Sequence, residues 1–254
     1  MKIIAVGGGE IGRPKKEGGN YPIETRSIDE EIVNQTGKQH PKLLFIPTAS
    51  GDSESYYNVV RNYFGNILGC RTDVLYLLNN RPTIKQIEDK IMSSDIVYVG
   101  GGNTLRMLKL WRKLGVDSFL VEAAKKGVVL SGVSAGAICW FKQGNSDSMK
   151  FGPSKSPKLV RVGGLDLVPF MICPHYSSEE GRASSVKDMT LRYGGVTIAL
   201  EDCTAIEVIN RGYRILSSSR NAHAYRIYKK DGRVMREEIK PTREFRSLEE
   251  LTLK

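Results

Sequence analysis

Short blocks of consecutive apolar residues, each closed by a turn, recur along the first two thirds of the chain. Lys2 to Val6 runs into Gly7-Gly8-Gly9, Leu43 to Ile46 into Pro47-Thr48, and Val74 to Leu78 into Asn79-Asn80. Ile96 to Val99 runs into Gly100-Gly101-Gly102, Val128 to Leu130 into Ser131-Gly132, and Phe170 to Ile172 into Cys173-Pro174-His175. Apolar runs without alternation predict strands buried on both faces, as in a parallel sheet. Helical spacing fills the gaps. Tyr56, Val60, Tyr63, Phe64, Ile67 and Leu68 fall near a 3.6-residue period within 53–68. Thr83 with Gln86, after Pro82, reads as a capping box opening a helix through Ile84, Ile87 and Ile91. Asn103 to Lys113 and Asp117 to Lys126 read as two more helices. This alternation predicts an α/β fold, three-layered and doubly wound about a mostly parallel sheet.

The texture changes near residue 196. Val196 to Leu200, Ala205 to Ile209, Tyr213 to Leu216 and Ala224 to Tyr228 are short and β-rich, and Lys230-Asp231-Gly232 suits a hairpin turn. Extra antiparallel strands are expected there, extending or flanking the main sheet. Residues 13–40 read as a polar loop with a short helix, and 13–20 and 144–158 as loops beside any site. No repeat or low-complexity tract divides the chain, so one hydrolytic domain over 1–254 is expected.

Composition narrows the class. An apolar content of 40% excludes a disordered chain. No apolar run nears the roughly 18 residues of a membrane span. The start reaches glycine too soon for an export signal, and Cys70, Cys139, Cys173 and Cys203 show no C-x-x-C spacing, so a cytoplasmic protein is expected. The net charge of +10 is scattered and lacks any recognition-helix, zinc-finger or aromatic-basic pattern, so no nucleic-acid partner is expected. The sequence allows a homodimer without specifying one. Three scattered histidines and unpaired cysteines make no ligand set, so neither metal nor cofactor is expected.

Gly132-Val133-Ser134-Ala135-Gly136 matches G-x-S-x-G, the nucleophile elbow, with an apolar strand leading in and a helix-compatible stretch leading out. A serine nucleophile needs a base. His40 precedes its strand and so sits on the wrong edge, while His223 is hard to place. His175 follows a strand, on the carboxyl edge where open α/β sheets build their sites. The third member is a carboxylate: Asp147, in a polar loop between Ser134 and His175, with Glu201 and Asp202 as alternatives. Backbone N–H groups of Ala135 and of the Gly101-Gly102 turn suit an oxyanion hole. Gly7-Gly8-Gly9-Glu10-Ile11-Gly12 formally matches G-x-G-x-x-G, but no periodic helix follows and the next strand ends without an acid. Those glycines are read instead as keeping the active edge open.

With these residues in place the chain resembles the peptidase E family of serine dipeptidases, which includes cyanophycinase-like enzymes, over roughly residues 1–228. The resemblance rests on three stretches in order: Gly100-Gly101-Gly102-Asn103-Thr104, Gly132 to Ala137, and Gly164-Leu165-Asp166-Leu167-Val168-Pro169 running into Pro174-His175-Tyr176. It implies a flavodoxin-like, class I glutamine-amidotransferase-like fold and a Ser-His-acid triad of Ser134, His175 and Asp147. It also implies an oxyanion region at Gly101, Gly102 and Ala135, and substrate contacts from Asn103 and Arg182, the latter toward an acidic side chain. Val133 and Ile138 stand where aspartyl dipeptidases have Trp and Asn. The expected function is a serine peptidase acting on short peptides, including dipeptides with an N-terminal acidic residue. The alternatives are a hydrolase of another acyl or amide bond, cyanophycinase-like or esterase, and a non-catalytic binding protein of the same fold.

Overall fold

The computed structural model describes residues 1–152 and 155–252. In chain order the first half comprises β1 (Lys2–Val6), α1 (Arg26–Asn34), β2 (Lys42–Ile46), α2 (Glu54–Val60), β3 (Arg71–Val74), α3 (Ile84–Met92), β4 (Ile96–Val99), α4 (Thr104–Leu114) and α5 (Val116–Lys125). The second comprises β5 (Val129–Val133), α6 (Ala135–Ile138), β6 (Phe141–Ser146), β7 (Val160–Gly163), β8 (Val168–Cys173), α7 (Arg182–Tyr193), β9 (Val196–Leu200), β10 (Thr204–Ile209), β11 (Gly212–Ser217), β12 (Ala224–Lys230), β13 (Arg233–Glu238) and β14 (Arg246–Ser247).

These strands form two sheets. The larger has the order β14-β11-β10-β1-β5-β4-β2-β3, parallel from β1 to β3 and antiparallel at β10, β11 and β14. The smaller has the order β13-β12-β9-β8-β6-β7, with a parallel centre of β6, β8 and β9. The mostly parallel α/β class stands. The strand before His175, however, belongs to the smaller sheet and not to the sheet carrying Ser134. The late antiparallel strands divide between the two. Asp202 and Cys203, between β9 and β10, carry the chain from one sheet to the other.

Burial explains the layers. β1 sends Ile3 and Ala5 into one core and Ile4 and Val6 into another, so both of its faces are covered. On one side lie Ile28 and Ile32 of α1 with Val60 of α2. On the other lie Ile87 of α3, Met107 and Trp111 of α4 and Leu120 of α5. The smaller sheet adds Phe170, Ile172, Ile198 and Leu200 to that second core and turns Cys173 and Ala199 toward Val186 of α7.

Local signals were mostly met. The Thr83–Gln86 capping box closes in both directions, at 3.2 and 2.8 Å. Asn103 caps α4, which ends at Gly115 with φ of 73°. The helix expected over 53–68 widens to a π-helix at Arg61–Ile67, where adjacent Tyr63 and Phe64 both reach the core. The strand expected at Val74 to Leu78 ends at Val74, on the sheet's edge. Leu75 still donates to Phe45 O, and the apolar signal of Leu75 and Leu77 comes from packing with Ile87 and Ile91. Within the loop expected at 144–158, residues 144–146 complete β6, and Pro153 and Ser154 lie outside the described residues.

Candidate active site

β5 ends at Val133, and Ser134 follows with φ of 58° and ψ of −110°, a conformation rare for a residue with a Cβ. The turn is this tight because α6 packs straight onto the neighbouring strand. A Cβ on Gly132 would lie 2.5 Å from Val99 O, and one on Gly136 would collide with the same oxygen. Ser134 N donates to Val6 O at 3.3 Å, tying the elbow to β1. Strain held by surrounding structure is characteristic of functional positions.

His175 lies two residues beyond β8, also at positive φ, and its backbone N donates to Gly7 O at 3.0 Å. Its Nδ1 lies 2.7 Å from Asp202 Oδ1. Burial acts to raise the Asp202 carboxyl, but the His175 hydrogen bond and charge, with the Ser178 hydroxyl, bring it below its ordinary value. An ionised carboxylate only accepts, so Nδ1 carries the proton, and in the neutral ring Nε2 keeps its lone pair. Gly8 packs against this pair: a Cβ there would collide with Asp202 Oδ1 and lie 2.5 Å from His175 Nδ1. Gly7 and Gly8 thus let the end of β1 pack closely on Leu200, Glu201, Asp202 and His175, where the sequence reading expected them to keep the edge open.

Ser134 and His175 line one cavity of about 630 Å³, together with Gly101. An added Cβ on Gly101 would sit 3.8 Å from Ser134 Oγ. Gly101 N donates to the Tyr56 hydroxyl at 3.5 Å, and burial pushes that phenol up to about 12, against the pull of this contact. Ala135 opens α6 directly after Ser134 and is 1% exposed. Gly102, at φ of 134°, passes so close to Ala49 O that a Cβ would collide with it.

Three expected placements change. Asp147 does not reach His175; its carboxylate lies 3.6 Å from Lys150 and 3.9 Å from Arg182. β6 and β9 flank β8 on opposite sides, and the imidazole turns to the β9 side. Arg182 does not face the cavity. It is 1% exposed, with Nη1 donating to Asn145 O at 2.6 Å and Oδ1 at 3.1 Å, and Nε and Nη2 donating to Glu179 Oε2. Asn103 spends its side-chain oxygen on Arg106 N. Glu201 accepts from His223 N, and His40 bonds Gly69 O.

The remaining walls come from Gly9 to Pro14 and from Ser53 to Val59. Only the glycine run announced itself in the sequence. The Ser53–Val59 wall had no signal beyond helical periodicity.

Residues 18–216 match the family described as Peptidase family S51. The chain is 36% identical over 228 residues to the uncharacterized peptidase YgaJ of Bacillus subtilis (strain 168), covering 89% of this chain and 91% of that protein. It is 25% identical to a peptidase E of Nostoc sp., covering 74% and 78%. Among solved structures it resembles a peptidase from an acI-B1 actinobacterium with a TM-score of 0.71 at 16% identity, covering 97% and 96% of the two chains. It also resembles a peptidase E-like protein from Listeria monocytogenes EGD-e with a TM-score of 0.61 at 19% identity, covering 86% and 98%. Both structural likenesses concern the fold.

Proposed function

The chain belongs to peptidase family S51 and is a serine-type peptidase, and on that premise we propose that Ser134, His175 and Asp202 are its triad and short peptides its substrates. The observation that carries this reading is the 2.7 Å contact between His175 Nδ1 and Asp202 Oδ1 beside the cavity that His175 shares with Ser134.

In this mechanism Ser134 Oγ attacks the peptide carbonyl carbon and His175 Nε2 takes its proton. Asp202 holds the ring in the tautomer that leaves Nε2 free and stabilises the imidazolium that forms. The N–H groups of Ala135 and Gly101 receive the oxyanion, the Tyr56 hydroxyl yielding its contact with Gly101 as the carbonyl enters. The imidazolium protonates the leaving amine and the C–N bond breaks. Water, deprotonated by His175, then splits the acyl-serine ester and returns Ser134 to its hydroxyl form. Both sheets belong to one hydrolytic domain in this reading, because the triad draws on each.

A cytoplasmic setting is part of the same reading. It rests on four free cysteines; among the described residues no helix is long and apolar enough to cross a membrane. The test is fluorophosphonate labelling followed by intact mass. One adduct on the wild type and none on Ser134→Ala supports an activated serine, and folded wild type that stays unlabelled and cleaves no peptide overturns it.

A further inference from the structure

Resting on that peptidase reading, we propose that the apolar wall of the cavity shared by Ser134 and His175 is a subsite for a large apolar side chain next to the scissile bond. Ile11, Pro14, Tyr56, Val59 and Val133 line the cavity. A second cavity of about 370 Å³ adjoins it, sharing Ile11, Pro14, Ser55 and Val59, and continues to Ile23 and Ile67. Together they form a mostly apolar trough that begins at Ser134, with the neutral amides of Asn20, Asn58 and Asn62 in its second part. The π-helical turn at Arg61–Ile67 supplies its far end, where the Ile67 side chain is half exposed with no cover. Widened helical turns of this kind recur at functional sites. Ser53 and Ser55 are neutral polar groups on the rim, suited to peptide amides and not to charge.

The charges point the same way. Among the described residues lining the first cavity, Arg13 is the one permanent cation, and it is paired with Glu10 at 2.7 Å on the exposed side of the cavity wall. Its guanidinium also sits 4.5 Å over the Tyr21 ring. Arg182, the other candidate for reading a carboxylate, is buried with its donors engaged by Glu179 and Asn145. An acidic side chain in the trough would lose its water against Ile11 and Val59 and meet no cation there except Arg13, already paired with Glu10. A leucine or phenylalanine side chain would bury apolar area there.

The experiment compares kcat/KM for Leu-Ala, Ala-Leu and their Phe counterparts with Asp-Ala and Ala-Asp, alongside fluorophosphonate labelling. The best apolar substrate should exceed both acidic ones by at least about tenfold, the scale on which apolar pockets discriminate. Val59→Arg should stay labelled, lose at least about tenfold on the apolar substrates and shift preference toward the acidic ones. Ile11→Asn provides the same test should Val59→Arg misfold. A labelled enzyme that prefers aspartate, or labelled variants whose preference does not move, overturns the subsite alone. An unlabelled, inert wild type overturns the serine mechanism, and the subsite falls with it.

Discussion

His175 and Asp202 each lie two residues beyond the end of adjacent parallel strands, β8 and β9, and meet at 2.7 Å across that edge. In Asp202→Asn the amide can present an N–H to Nδ1 and favour the wrong imidazole tautomer. In serine hydrolases that change lowers kcat by about 10⁴-fold. Asp147→Asn, remote from the ring, should lower kcat less than about tenfold, the Asp147–Lys150 contact being a partly solvated pair. Steady-state kinetics of the two variants side by side checks the assignment.

Ser134→Ala should lower turnover by about 10⁵-fold or more. Ser134→Gly should lower it equally yet unfold at higher denaturant than Ser134→Ala, by roughly 1 kcal/mol, because φ of 58° costs an alanine and not a glycine. Equal midpoints for the two variants would contradict a strained elbow.

Gly8→Ala places a methyl where the His175–Asp202 pair sits. The expected result is a fall in kcat of about 10²-fold with KM nearly unchanged, the scale of a small displacement of catalytic groups. Gly101→Ala meets the Ser134 Cβ at 3.3 Å, a tight contact but not a collision, and should be milder.

Arg182→Met leaves the buried Asn145 carbonyl without its donor and takes the cation from Glu179, whose carboxylate is about a third exposed. Unfolding should become easier by about 1–3 kcal/mol, the cost of a buried polar group losing its partner. The ratio of kcat/KM between apolar and acidic peptides should not move. A specific loss on acidic peptides would return Arg182 to substrate binding.

Asp29 is 1% exposed beneath the active edge, bonded by Thr25 Oγ1 at 2.7 Å, and burial pushes its carboxyl up to about 7 against that hydrogen bond. An acid whose folded value exceeds its unfolded value of about 3.9 takes up a proton on folding. Its contribution is complete below roughly pH 4 and is lost as the pH rises to about 7. Asp29→Asn should therefore gain on the wild type between pH 5 and pH 8, by roughly 2 kcal/mol at the upper end. Denaturant midpoints across that range check the sign.

Ser134 and His175 were legible as neighbours because each follows the carboxyl end of an apolar parallel strand, although those strands lie in different sheets. Asp202 stayed one of several acids because its place depends on a crossing between sheets that no local pattern announces. β6 was hidden by its composition. Residues 144–146 read as the start of a loop, yet Asn145 and Ser146 are buried and bonded to Ser185 and Thr104. Arg182 carried a charge that suggested solvent or substrate, whereas its hydrogen bonds satisfy it inside the protein.

With Asp202 as the proposed acid, the passage from β9 to β10 makes catalysis a late event in the life of the chain. The proposed nucleophile, base and acid stand at positions 134, 175 and 202, and Gly8, near the N-terminus, packs on two of them. Such distant partners meet only after the costly non-local contacts have formed. A chain in which the two sheets have not yet joined at their corner would hold the proposed acid and base apart from the proposed nucleophile. Regained peptidase activity on refolding then dates the closing of that corner, a timing that secondary-structure signals do not record.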